Sequence, residues 1–148
     1  MLGNKHQKSS NNIIETDNIV YMLNYDEKTA NIISIRYQRD EIILPRSFVY
    51  KSTEYITKCI CERAFQFSDV KIIQIPDDSE IETIESEAFK MSKIERLTIP
   101  PSLINLAPKW SVSATNLKRV RVSPNNPRYC SINDQIIVGK NPLDDSEF

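Results

Sequence analysis

Glycine and histidine are almost missing from this chain. Of its 148 residues two are glycine, Gly3 and Gly139, and one is histidine, His6. A loop that cradles phosphate needs glycines close together, so two at opposite ends exclude one. A single histidine in a polar N-terminal stretch removes most catalytic triads and most metal arrangements. Cysteine is scarce as well. Cys59, Cys61 and Cys130 are too few, and odd in number, for a disulfide framework. Cys59-x-Cys61 with one distant cysteine and His6 is a poor metal set, since zinc takes four well-placed ligands. The three are read as buried or half-buried free thiols, and neither a metal nor a cofactor is expected. No apolar run approaches the length of a membrane span. Nor is there an excess of one charge. Nineteen Lys and Arg against twenty Asp and Glu leave a formal net charge of −1, which gives no general reason to expect a nucleic-acid partner.

Residues 1–12, Met1 to Asn12, are polar and rich in Asn, Ser and Lys. They read as a disordered tail without the hydrophobic core of a signal peptide. Leu2 after Met1 excludes a myristoylation signal, and no Asn-x-Ser/Thr acceptor occurs. On those absences a cytoplasmic location is expected.

What is present is a repeat. Val70-Lys71-Ile72-Ile73-Gln74-Ile75-Pro76 recurs 24 residues later as Ile94-Glu95-Arg96-Leu97-Thr98-Ile99-Pro100. It recurs after a further 23 as Leu117-Lys118-Arg119-Val120-Arg121-Val122-Ser123. A fixed period of this size marks a solenoid, each unit a coil stacked on the last. Alternation of Ile73 with Ile75, Leu97 with Ile99 and Val120 with Val122 predicts strands at about 72–75, 96–99 and 119–122, side by side in a parallel sheet. Pro76 and Pro100 turn the chain out of the ladder. Between strands, Ile60-x-x-x-Ala64-Phe65 and Ile84-x-x-x-Ala88-Phe89 predict short helical turns with both phenylalanines inside. The third unit lacks this pair and carries Pro108, so Trp110 is expected to supply its large aromatic in the core.

These motifs resemble the BspA-like leucine-rich repeats of bacterial and protist surface proteins. The matching residues are Ile60, Ala64, Phe65, Val70, Ile73, Ile75 and Pro76, then Ile84, Ala88, Phe89, Ile94, Leu97, Ile99 and Pro100. The family's glycine is replaced by Cys61 and Glu85, so a turn of different form is expected there. Asn126-Pro127-x-Tyr129-x-Ser131-Ile132 also resembles the family's continuation beyond the repeats. The resemblance covers roughly residues 19–140. It implies an α/β repeat fold: a leucine-rich-repeat solenoid with a parallel β-sheet, short helical turns between strands and a β-hairpin N-terminal cap. It implies a binding role without naming a ligand, and a cell-surface location.

The expected organisation is one solenoid over 13–140. Residues 13–38 form the N-terminal cap, with strands at 18–25 and 30–37 around an Asp26-Glu27-Lys28-Thr29 turn. Residues 39–123 hold the repeats, beginning with a degenerate strand at Arg39–Pro45. From Pro45 to Pro76 is 31 residues, so this unit carries an insert, placed at 46–55 as a small hairpin or extended loop. Residues 124–140 form the C-terminal cap and 141–148 an acidic tail.

No constellation of an active site is found, and an enzyme is not expected. Asp77-Asp78-Ser79-Glu80 reads as a solvated turn, since calcium needs six or more oxygens. The functional signal lies on the outward face of the repeat strands, where residues align as a ladder. It runs from Asp40, Glu41 and Ile43 at one end to Arg96, Arg119 and Arg121 at the other, with Lys118 beside them. Gln74, Arg96, Thr98, Arg119 and Arg121 are the candidate partner-binding face. Guanidinium forks pair with planar anions, which fits a protein or anionic glycan partner. Two other classes remain: an oligomerising structural repeat, and, more weakly supported, a hydrolase with a site assembled from scattered residues. The oligomeric state is not encoded in any motif.

Overall fold

The computed structural model describes residues 12–36 and 39–140. Residues 1–11 of the expected N-terminal tail, with His6, and the whole acidic tail 141–148 lie outside the described residues. So do Tyr37 and Gln38 at the junction of cap and repeats.

The chain begins with β1 (Ile13–Thr16), β2 (Ile19–Asn24) and β3 (Thr29–Ile35), paired antiparallel in sequence order. Next come β4 (Glu41–Ile43) and the insert, which is a hairpin of β5 (Ser47–Tyr50) with the long β6 (Thr53–Ile60). The remaining strands are β7 (Ile72–Gln74), β8 (Thr83–Ile84), β9 (Arg96–Ile99), β10 (Asn105–Leu106), β11 (Arg119–Val122), β12 (Tyr129–Ile132) and β13 (Ile136–Gly139).

Two parallel ladders run along the stack. One has the order β4-β7-β9-β11, and Ile73, Leu97 and Val120 are direct neighbours in it, as the spacing predicts. The other has the order β3-β6-β8-β10. Because β3 pairs parallel with β6, the cap extends the solenoid sheet as well as covering its end. Ile60, Ile73, Ile84, Ile94, Leu97 and Ile99 point between the two ladders and are buried.

The third side of each coil corrects one expectation. No helix forms among the described residues, so the short helical turns are absent. Ile60, Ala64 and Phe65, and likewise Ile84, Ala88 and Phe89, are buried as expected, but by tight turns. Ala64, Gln66 and Ser68 N–H groups bond three residues back, to Cys61, Arg63 and Phe65 carbonyls. Arg63 and Phe67 interrupt any helix with φ of 60° and 59°, and Glu87 and Met91 do the same one coil on, at 60° and 54°. The reason is where the backbone bonds go. Phe65 N–H donates to Ala88 O (2.8 Å), Phe67 to Lys90 O (3.1 Å), Phe89 to Trp110 O (2.9 Å) and Met91 to Val112 O (3.1 Å). An α-helix would direct those groups four residues back along their own coil; here they tie coil to coil. Phe65, Phe89 and Trp110 form a ring column, with centroids 5.0 Å apart in the first pair and 5.8 Å, edge to face, in the second. Trp110 thus takes the aromatic place of the third coil, half-buried against the core.

A chain so poor in glycine places thirteen other residues at positive φ among the described residues. Asp17-Asn18, Lys51-Ser52 and Asn133-Asp134 adopt it in pairs at hairpin turns. The first two are two-residue loops, whose type I′ form needs the left-handed region at both central positions, and the third lies in the three-residue loop between β12 and β13; Asn and Asp tolerate that region best after glycine.

Flanking segments pack against the coils at both ends. Phe48 of the insert lies 4.3 Å from the Tyr21 ring. At the other end the β12–β13 hairpin bonds the outer edge of β11, through Val120 N–H to Asp134 O at 2.7 Å and Val122 N–H to Ser131 Oγ at 3.3 Å. Asn126 fastens the loop before it. Fully buried, its amide donates to Pro100 O (2.8 Å) and Leu103 O (2.9 Å) and accepts from Arg128 and Tyr129 N–H, each at 2.8 Å.

Candidate partner-binding face

The β4-β7-β9-β11 register sets two cross-strand rows on the outer surface. Glu41, Ile72, Arg96 and Arg119 form the first, and Ile43, Gln74, Thr98 and Arg121 the second. Inward and outward positions alternate because strand side chains alternate faces: Leu97, Ile99, Val120 and Val122 are buried, while Arg96, Arg119 and Arg121 are exposed. All five residues read from the sequence lie on this face. They line one shallow groove of about 370 Å³ with Glu41, Ile72 and Asp134.

The five are not equivalent. Thr98 Oγ1 accepts the Ile75 N–H at 2.9 Å, so its hydroxyl is committed to the neighbouring strand. Gln74 donates its amide to Glu41. Arg121 pairs with Asp134 at 3.3 Å. Sequence reading missed Asp134 because it returns to the face only through the β12–β13 hairpin, thirteen residues on. Arg96 and Arg119 stand directly opposite one another in β9 and β11. Among the described residues neither meets a carboxylate, whereas Arg46 and Arg63 on other faces each do.

Several other charged groups pair between coils. Glu80 of the acidic turn pairs with Arg46 and Lys58. On the turn side Glu87 accepts from Arg63 (2.9 Å) and Lys90 (3.1 Å), and these two donors, Arg63 first, hold its carboxyl below the usual range. The three cysteines are free and half-buried. Cys59 and Cys61 meet on the other ladder, beside the Glu85 carboxylate. A hydrogen bond between the two thiols pushes Cys59 up and Cys61 down, and burial and the Glu85 charge add to the rise at Cys59.

No family model matches the chain, and no curated protein matches it. Among solved structures, a leucine-rich repeat protein from Bacteroides capillosus aligns with a TM-score of 0.54 at 17% identity, over 76% of this chain and 99% of that one. The fold is that of a leucine-rich-repeat protein. At that identity the likeness speaks of fold alone. Looser likenesses are to a leucine rich cell surface protein from Faecalibacterium prausnitzii (TM-score 0.40, 12% identity, 88% of this chain) and to the pneumococcal vaccine antigen PcpA (0.41, 15%, 86%). The chain spans 59% and 54% of those two. The leucine-rich-repeat fold expected from the residues between Ile60 and Pro100 is the fold found, with turns in place of helical segments. Among the described residues no helix is long and apolar enough to cross a membrane.

Proposed function

We propose that this leucine-rich-repeat chain is a non-enzymatic interaction or adhesion-type module. It holds an anionic partner, an acidic protein segment or an anionic glycan, on the β4-β7-β9-β11 face. One observation carries the reading: Arg96 and Arg119 are exposed, directly opposed across neighbouring strands, and without a carboxylate among the described residues. Strands lie about 4.8 Å apart, and like charges placed directly opposite destabilise a sheet. A planar anion seated between the two guanidinium groups converts that repulsion into paired, charge-assisted hydrogen bonds. Arg121 adds to the site once its Asp134 contact opens, and Gln74 supplies an amide at the groove wall.

The two other classes find less support. Stacking of copies through the last coil would need the outer edge of β11, and there Val120 and Val122 already donate to the C-terminal hairpin. A hydrolase would need paired carboxylates free to act in one groove, whereas Glu41 and Asp134 are tied to Gln74 and Arg121.

The test is binding to an oligoglutamate peptide and to a sulfated glycan, each at low and at physiological salt. Wild type is expected to bind at least one of them. Binding should weaken with salt, as screening over about 8 Å requires. Arg96→Ser/Arg119→Ser/Arg121→Ser should keep the wild-type circular dichroism and lose at least tenfold in affinity. An affinity indifferent to both salt and the triple substitution would overturn the assignment of this face.

A further inference from the structure

The second ladder carries a cluster that the partner-binding reading does not use. Cys59 lies near the end of β6, and Cys61 follows one residue after the fully buried Ile60. Side chains two apart on a strand share a face, so both thiols stand on the outer surface of the sheet. Ile60 pairs with Ile84 in β8, and the same register sets Cys61 beside Glu85. Cys59 Sγ, Cys61 Sγ and a Glu85 carboxylate oxygen all lie within 4.8 Å of one another. We propose that Cys59, Cys61 and Glu85 form a binding site for a thiophilic divalent metal ion of the zinc class.

Three features support this beyond proximity. The ligand types are right: thiolates select zinc and its soft neighbours, and a carboxylate is an ordinary third ligand. The spacing is close to what one ion needs. Zinc–sulfur bonds of about 2.3 Å at the tetrahedral angle separate two sulfurs by about 3.8 Å, and a sulfur from a carboxylate oxygen by about 3.6 Å. Closing from 4.8 Å takes side-chain movement of at most about 1.2 Å. The cluster is also held in place. Cys61 N–H donates to Ile32 O and Glu85 N–H to Ile60 O, both at 2.9 Å. The Glu62 N–H donates to Glu85 Oε2 at 2.7 Å, orienting the carboxylate as an outer-shell partner would. Among the described residues Glu85 makes no ion pair, so a half-buried carboxylate faces two thiols with no cation to balance it. Binding exchanges the two thiol protons for the metal, and water fills the fourth position.

A disulfide between the same thiols fits less well. Strand geometry holds residues two apart at about 6.6 Å between Cα atoms, close to the limit of about 6.8 Å that a disulfide reaches. Cys130 sits in β12, well away in the chain, and serves as an internal control.

The experiment titrates zinc into the reduced full chain against a chromophoric chelator, and repeats the titration with cobalt(II) to read thiolate-to-metal charge-transfer absorption. One metal per chain is expected. Bound zinc should protect Cys59 and Cys61, but not Cys130, from alkylation read by peptide mass. Cys59→Ser and Cys61→Ser should each lose at least tenfold in affinity and the charge-transfer band. Glu85→Gln should weaken binding while keeping the band, and Cys130→Ser should change nothing. Circular dichroism of each variant confirms that the fold is kept; should a serine variant misfold, alkylation protection in the wild type still decides. No uptake of zinc, uptake undiminished in Cys59→Ser/Cys61→Ser, or loss of both thiols as a disulfide without metal binding would each overturn the proposal.

Discussion

Replacing Phe89 by alanine removes the middle ring of the column formed by Phe65, Phe89 and Trp110. Phe89 is fully buried, with neighbours at 5.0 Å on one side and 5.8 Å on the other. Truncating a core phenylalanine costs about 3–5 kcal/mol, the spread reflecting how far the site can collapse. Collapse is restricted here. The turns on either side are tied coil to coil by the Phe65, Phe67, Phe89 and Met91 N–H groups, at 2.8–3.1 Å, so the backbone cannot close on the cavity without breaking them. Two ring pairs are lost as well, each worth about 0.5–1.5 kcal/mol beyond area burial. The expected loss is therefore in the upper half of the range, about 4–5 kcal/mol. In urea, with a slope near 2 kcal/mol per molar, the midpoint should fall by about 2 M. A cycle with Phe65→Ala should show a coupling of about 0.5–1.5 kcal/mol between the two rings. Phe67→Ala is the control, because Phe67 is 61% exposed two residues from Phe65 and should change stability by no more than about 0.5 kcal/mol. A Phe89→Ala midpoint within error of wild type would refute the reasoning, since it would place the ring outside the core.

Asn126→Ala should destabilise by at least about 2 kcal/mol, because it strands two carbonyls and two N–H groups at about 1–3 kcal/mol for each that stays unpaired; a denaturation midpoint unchanged from wild type would argue against the buried network. Tyr21→Phe should leave stability at neutral pH unchanged or slightly raised, since the buried Tyr21 hydroxyl lacks a well-formed hydrogen bond among the described residues. Burial, with the Asp17 charge adding, pushes the Tyr21 phenol above its ordinary value. The unfolded chain then ionises first as pH passes about 10, so wild-type stability should fall there and the phenylalanine variant should lose less of it. Denaturation midpoints of the two proteins between pH 8 and 11 check the sign, and parallel curves would sink the argument.

The spacing of Val70, Ile94 and Leu117 was enough to place the strands and their register. A solenoid repeats one local rule, and the rule is written in each coil: alternating Ile, Leu or Val for a one-sided strand, proline to leave it, Ala-Phe to fill the corner. The outer face follows from the same alternation, which sets Gln74, Arg96, Thr98, Arg119 and Arg121 on one side of the sheet. The conformation of the corners could not be read in the same way. Ile60, Ala64 and Phe65 would be buried by a helical turn or by the turns observed, and the choice rests on whether a backbone N–H finds its acceptor four residues back or on the next coil. That acceptor is supplied by a segment 21 to 23 residues away, so no local pattern records it. The same holds for the two charges that matter most to the surface. Asp134 reaches Arg121 only because a closing hairpin folds over the last strand, and Glu85 reaches Cys59 and Cys61 only because one coil stacks on another. Sequence determined what each coil must bury and which side it shows; stacking decided which side chains from different coils become neighbours, because that depends on register across the sheet and not on distance along the chain.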